Sequence, residues 1–293
     1  MEMDNPHVFQ SNDDEKLNDV PDPFHSRLEI FENLSTIATE STVEIWQGFL
    51  SLWCDILQIS ASEIVTSYNR CARLIPKLIK STSFYTIRKD SKIARETCFM
   101  CLNQLNQSSM KNYFLLSVDE QKLAENEIYY EHIYHLLFIA SQSASFIPFA
   151  AIEDQQFIEN HSELLILFIE RVDKRMPQHS LTDVENNYSL GTINERILNF
   201  LWNLSDRTVI IPTLLRCNLA ERVVNWLSQS AVIKESSRRP FISIVHNIAR
   251  HDDGADQLNQ FNAIPAIQIY QKMFVQFSRC FSLDYKKLFL MKI

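Results

Sequence analysis

Three stretches of the chain carry residue types that could do chemistry. Cys98-Phe99-Met100-Cys101 is a C-x-x-C, the spacing of half a zinc site or of a dithiol redox pair. Zinc needs a second ligand pair, and the redox site needs a βαβ setting. Neither accompanies it, and the run falls in an apolar helix, so these are expected to be buried free thiols. His132-Ile133-Tyr134-His135 puts two imidazoles one helical turn apart, with Glu127 and Glu131 close by. That is part of a metal ligand set or of a helical hydrolase. It is not H-E-x-x-H, no further ligand run follows, and His132 continues an apolar stripe. A histidine at the edge of the core is the better reading. His251-Asp252-Asp253-Gly254-Ala255-Asp256 has a calcium-loop look but lacks the twelve-residue pattern and its closing glutamate. Asp252 or Asp253 capping a helix toward Leu258 explains it more simply. No G-x-S-x-G is present, and no cysteine–histidine pair has a recognisable signature. Sequons at Asn33, Asn106, Asn187 and Asn203 carry meaning only on a secretory route. The expectation is a chain with no catalytic residue, no metal and no cofactor, and so not an enzyme.

Composition says which elements hold these residues. The 293 residues include three glycines, Gly48, Gly191 and Gly254, where ordinary usage of about 7% would give roughly twenty. Glycine supplies the φ > 0 positions of hairpins, bulges and phosphate loops. Helices joined by short polar turns remain. Net charge is −8 and the pI about 5.5, against a general nucleic-acid binder. The N-terminal MEMDNPHVFQ has neither the basic nor the apolar region of a secretory signal. The longest apolar run, Leu164 to Ile169, is too short to span a bilayer. The six cysteines (54, 71, 98, 101, 217 and 280) then read as reduced thiols of a cytoplasmic protein.

Residues 1–26 hold seven acids against Lys16, with Pro6, Pro21 and Pro23, and read as a disordered acidic tail. Over 27–175 the spacing is helical. Leu28, Ile30, Phe31, Leu34 and Ile37 make one stripe, and Val43, Trp46, Phe49, Leu50, Trp53 and Ile56 a second. A third segment runs from Ile64 to Ile79, with Pro76 expected to kink or divide it. Helices are also expected over 93–105, from a Ser117/Glu120 capping box through Ala140, and over 162–172. Residues 176–191 are polar and read as a loop. Thr192 and Glu195 form a second capping box, opening the best-defined part of the chain, 192–275.

Within 192–275 the sequence repeats. With Asn203 placed on Asn247, an offset of 44 residues, ILNFLWNLS (197–205) falls on FISIVHNIA (241–249). Large apolar residues coincide at 197/241, 198/242, 200/244, 201/245 and 204/248, and Asn218 falls on Asn262. The period lies in the ~40–47-residue range of armadillo and HEAT units. The residues resemble the armadillo pattern in particular. Asn203-Leu204-Ser205 and Asn247-Ile248-Ala249 match the end of its third helix, and Asn262-Ala263-Ile264-Pro265 matches G-A-I-P with asparagine for glycine. Asparagine tolerates the left-handed conformation such a turn demands. The first copy, Asn218-Leu219-Ala220-Glu221, lacks the proline.

The resemblance implies an all-α fold, a right-handed α-α superhelix of the armadillo-like solenoid type. In that family the third helix of each unit lines a concave groove. Asn203 and Asn247 would sit there, with an amide able to pair with the main chain of an extended peptide. Asn199, Ser243 and Arg196 would lie on the same face. Replacing Asn203 and Asn247 is then expected to weaken partner binding and to spare stability. The expected function is a non-catalytic scaffold binding a protein or extended peptide, with no nucleic acid and no membrane. LWNLSDRTVIIPTLL and RRPFISIVHNIARHDDGADQLNQFNAI also resemble the armadillo region of invertebrate proteins that carry a TIR domain. That implies an alternative: the regulatory armadillo portion of a signalling or NAD-cleaving protein, without its effector. The repeat signal stops near residue 273, and 276–293 is atypical, crowded with Phe277, Phe281, Phe289 and Leu290. The expectation is a truncated or mis-spliced frame from about 273 onward, the opposing reading being a terminal helix folded back as a cap.

Overall fold

The computed structural model describes residues 23–37, 43–59, 65–80, 90–116, 128–176, 190–229, 233 and 235–277. The protein is all-α: the described residues form fourteen α-helices and one 3₁₀ turn, with no strand. No described helix is long and apolar enough to cross a membrane. The chain divides into two compact units, Met1–Ser83 and Phe84–Ile293.

In the first unit, α1 (His25–Ile37), α2 (Val43–Leu57) and α3 (Val65–Lys80) pack on one another. The second stripe is buried: Trp46, Phe49, Leu50, Leu52, Trp53 and Ile56 are each at most 1% exposed. Phe31 meets the Phe49 ring edge-on, with centroids 5.6 Å apart. Arg70 grips Glu32 with two parallel bonds, Nε to Oε1 at 2.9 Å and Nη2 to Oε2 at 2.7 Å. That fork holds the Glu32 carboxyl below the usual range. Two expectations change here. Pro76 does not divide α3; Leu74, Ile75 and Leu78 are buried around it and hold the turn whose hydrogen bond proline cannot make. Phe24 is buried and α1 begins at His25, so residues 24–26 of the stretch read as a tail belong to the packed helices. Residues 1–22 lie outside the described ones.

The second unit is built from α4 (Ser91–Leu105), α5 (Ser108–Leu115), α6 (Ile128–Ala144), α7 (Ile152–Asn160), α8 (Ser162–Arg175), α9 (Thr192–Ser205), a 3₁₀ turn at Thr208–Ile210, α10 (Ile211–Arg216), α11 (Leu219–Ser228), α12 (Glu235–Ala249), α13 (Asp252–Gln260) and α14 (Ala263–Phe277). They pack in three rows. α4, α6, α9 and α12 meet in chain order; so do α5, α8, α11 and α14; the short α7, the 3₁₀ turn with α10, and α13 make the third. Helices of the sequence segments 27–175 and 192–275 pack together, since α8 meets both α9 and α11.

The 44-residue sequence offset pairs two residues of the same backbone conformation. Asn218 and Asn262, matched in sequence, both adopt the left-handed conformation, at φ 61° and 58°, each directly before the second long helix of its unit. Within the second row, Trp226 and Arg222 of α11 both donate to Asp173 of α8, at 3.0 and 2.9 Å. Arg171, 1% exposed, lies over the Tyr113 ring at 4.3 Å and donates to the Tyr113 carbonyl at 3.1 Å. Burial pulls its pKa down to about 10.

The two helix starts differ from expectation. Gly191, at φ 83°, is the N-cap of α9, and Thr192 is already inside the helix. Its hydroxyl meets Tyr130 Oη, and Glu195 accepts from Ser237 Oγ at 2.8 Å. Both side chains are drawn to neighbouring helices, so the capping box does not form. His251 is the N-cap of α13, which puts Asp252 and Asp253 in the first turn, where they complement the helix dipole without capping it. Gly254 follows them for a steric reason: a Cβ there would lie 2.3 Å from the Ile248 carbonyl oxygen. The expected Ser117/Glu120 box, most of the 176–191 loop and the segment after Phe277 lie outside the described residues. α14 continues unbroken past residue 273 to Phe277.

Candidate interaction face on helices α6, α9 and α12

Burial along α9 divides the helix into two sides. Ile193, Ile197, Leu198, Phe200, Leu201 and Leu204 are buried. Glu195, Arg196, Asn199, Trp202 and Asn203 are half-buried and Asp206 is exposed, at spacings of three and four. α12 has the matching stripe in Arg239, Ile242, Ser243 and His246, and α6 has one in Glu131, Tyr134, His135, Phe138 and Gln142.

Side chains crossing between these helices show that the stripes adjoin. Arg196 Nη2 donates to Tyr134 Oη at 2.6 Å, and its Cζ lies 5.0 Å from the Tyr134 centroid and 4.7 Å from that of Phe138. Arg239 Cζ lies 5.9 Å from the Trp202 ring. Arg207 Nη2 donates to the Ser145 carbonyl at 2.5 Å. Three helices thus present one face carrying amides, hydroxyls, aromatic rings and guanidinium groups.

The asparagines expected to define this face have a further role. Asn203 Nδ2 donates to both the carbonyl and the hydroxyl of Ser141 on α6, at 2.7 and 3.1 Å. Asn247 Nδ2 donates to Ser205 Oγ on α9 at 3.0 Å, and that hydroxyl donates onward to the Trp202 carbonyl at 2.8 Å. Each asparagine ties its helix to a serine of the preceding helix in the row. Asn247 is 7% exposed, which differs from the expectation of an amide displayed in the open. Helix packing at that level closes over it. Asn203, Asn199, Ser243 and Arg196 are half-buried.

A stability series separates these positions. Asn247→Ala is expected to cost about 1–2 kcal/mol, because a buried bond is lost. Asn199→Ala and Ser243→Ala are expected to stay within about 0.5 kcal/mol, the range of substitutions away from buried contacts. Equilibrium urea unfolding measures all three; an unchanged Asn247→Ala would remove the tie.

The other chemical candidates sit apart from this face or beneath it. Cys98 and Cys101 are both buried. Burial pushes the Cys98 thiol well up, keeping it protonated. His132 is not at the edge of the core but inside it, at 0% exposure, and burial first, then the neighbouring His135, lowers its pKa to about 3. His135 Nδ1 donates to the Glu131 carbonyl at 2.7 Å, and its pKa is lowered chiefly by burial. Among the described residues no group of three or more His, Cys, Asp or Glu side chains could hold a metal ion.

Sequence reasoning missed Tyr134, Phe138, Trp202 and Arg239 as members of the face, and Ser141 and Ser205 as partners of the asparagines. Trp202 and Arg239 carried a signal: each lies on the polar side of its own helical pattern, where a large ring or a cation is displayed rather than packed. No family model, curated protein or solved structure matches the chain.

Proposed function

We propose that the chain is a non-catalytic scaffold of the armadillo type, a superhelix of three-helix units that holds an extended peptide of a partner protein along α6, α9 and α12. The observation that carries this reading is the half-open stripe on three adjacent helices, which includes Asn199, Trp202 and Ser243. An extended peptide exposes unpaired N–H and C=O groups at every residue. Asparagine supplies both a donor and an acceptor to them, serine does so over a shorter reach, and an aromatic ring supplies flat apolar area. Asn203 and Asn247 hold the three helices at a fixed spacing, so the face is formed before the partner arrives.

The test is capture of partners by the full chain, read by mass spectrometry and compared with the Asn199→Ala/Ser243→Ala variant. Proteins retained by the wild type should be lost or reduced about tenfold in the variant, corresponding to about 1.4 kcal/mol, with the melting temperature unchanged. A variant that retains the same proteins at the same level places binding elsewhere and overturns the reading.

A further inference from the structure

One of the four tryptophans differs from the rest. Trp46, Trp53 and Trp226 are each at most 1% exposed. Trp226 also has its indole N–H bonded, to Asp173 at 3.0 Å. Trp202 is half-buried on the stripe of α9, and its indole N–H has no partner among the described residues. Its main-chain carbonyl, by contrast, is engaged twice, by Ser205 Oγ at 2.8 Å and by the Asp206 N–H at 3.1 Å. The side chain alone is left with bonding capacity. On the neighbouring helix, Tyr134 and Phe138 share the guanidinium of Arg196, which also donates to the Tyr134 hydroxyl.

Charge gives this face no preference. Glu131, Glu195 and Asp206 stand on the same stripes as Arg196 and Arg239. A peptide of either sign meets like charge along it, and like charges brought together lower affinity. An uncharged segment meets none. A half-open tryptophan suits such a segment in two ways. Its ring is a large, rigid apolar area that loses little rotamer freedom on binding. Its N–H is a donor only, and an extended main chain offers a carbonyl at every residue.

We infer that Trp202 anchors the partner, and that the face takes an uncharged extended peptide with a bulky aliphatic residue. That side chain lies on the indole ring, and a neighbouring main-chain carbonyl accepts from Nε1–H. This rests on the scaffold reading and names the chemistry of its partner.

The test uses the full chain and a fluorescein-labelled peptide of about ten Ser and Ala residues, with leucine at two alternate central positions. Comparison peptides carry Ala, Glu or Lys at those positions. By anisotropy, the leucine peptide should bind about tenfold or more tightly than each of the three. Unlabelled, it should also shield the tryptophan emission that acrylamide reaches, since the other three rings are already buried. Trp202→Ala should lower its affinity more than about tenfold. Trp202→Phe keeps a ring without the N–H and should lower it about threefold to tenfold, the worth of one hydrogen bond. If the alanine variant does not fold, the phenylalanine variant and the shielding of the wild type decide. Equal binding of the leucine and alanine peptides, tighter binding of a charged one, unshielded emission, or indifference to the Trp202 variants overturns the inference. Partner capture that depends on Asn199 and Ser243 but not on Trp202 would leave the scaffold standing and remove the anchor alone.

Discussion

Trp226→Ala is expected to destabilise the second unit by about 3–5 kcal/mol, the range for emptying a large buried aromatic site. Trp226 is 0% exposed, its ring centroid lies 5.8 Å from that of Phe241 on α12, and its indole N–H donates to Asp173 on α8. One side chain therefore joins α11 to two other helices. Most of the loss comes from the cavity. The Asp173 carboxylate keeps Arg222 on its other oxygen and is 35% exposed, so water can replace the indole. Trp226→Phe isolates that bond and should cost less than the alanine variant by the packing it retains. Equilibrium urea unfolding of the three proteins measures both effects. A loss under about 1.5 kcal/mol for alanine would mean that the helices collapse into the space and that the ring is not their common anchor.

Acid should destabilise the protein through His132. In the folded chain it titrates at about 3, whereas the unfolded side chain titrates near 6.5. Between these values the unfolded state binds the extra proton, so stability falls as pH falls. The loss begins below about 6.5 and grows by about 1.4 kcal/mol for each further pH unit until the folded value is approached. His135, also lowered, adds in the same direction. Unfolding free energies at about pH 7.5 and 5.5 should differ by at least about 1.4 kcal/mol from His132 alone. His132→Leu removes that contribution and should flatten the dependence. A slope unchanged in the variant would assign the acid sensitivity to other groups.

What could be read from the residues, and what could not, follows from the range over which each feature is decided. Asn218 and Asn262 were legible because a left-handed turn is a property of one residue and its neighbours, and the 44-residue match set the two side by side. The buried stripes of α2 and α9 were legible because apolar spacing records a helix's own faces. The partners of Asn203 and Asn247 were not. They lie 62 and 42 residues back along the chain, and the unequal steps hide the common pattern. The same holds for Arg196 on Tyr134, another step of 62. The capping box at Thr192 failed for the matching reason: local bonding potential was present, but Tyr130 and Ser237 on other helices took the two side chains.

Row packing also limits how far apart in sequence partners are. Side-chain hydrogen bonds between helices of the second unit link residues 42 to 62 apart. A helix leaving the ribosome therefore meets its predecessor in the row after some forty to sixty residues, without waiting for the C-terminus. At about 5–20 residues per second that interval is several seconds, long against the formation of a helix. Synthesis can lay the unit down one helix group at a time, each new group closing over the apolar face left by the last.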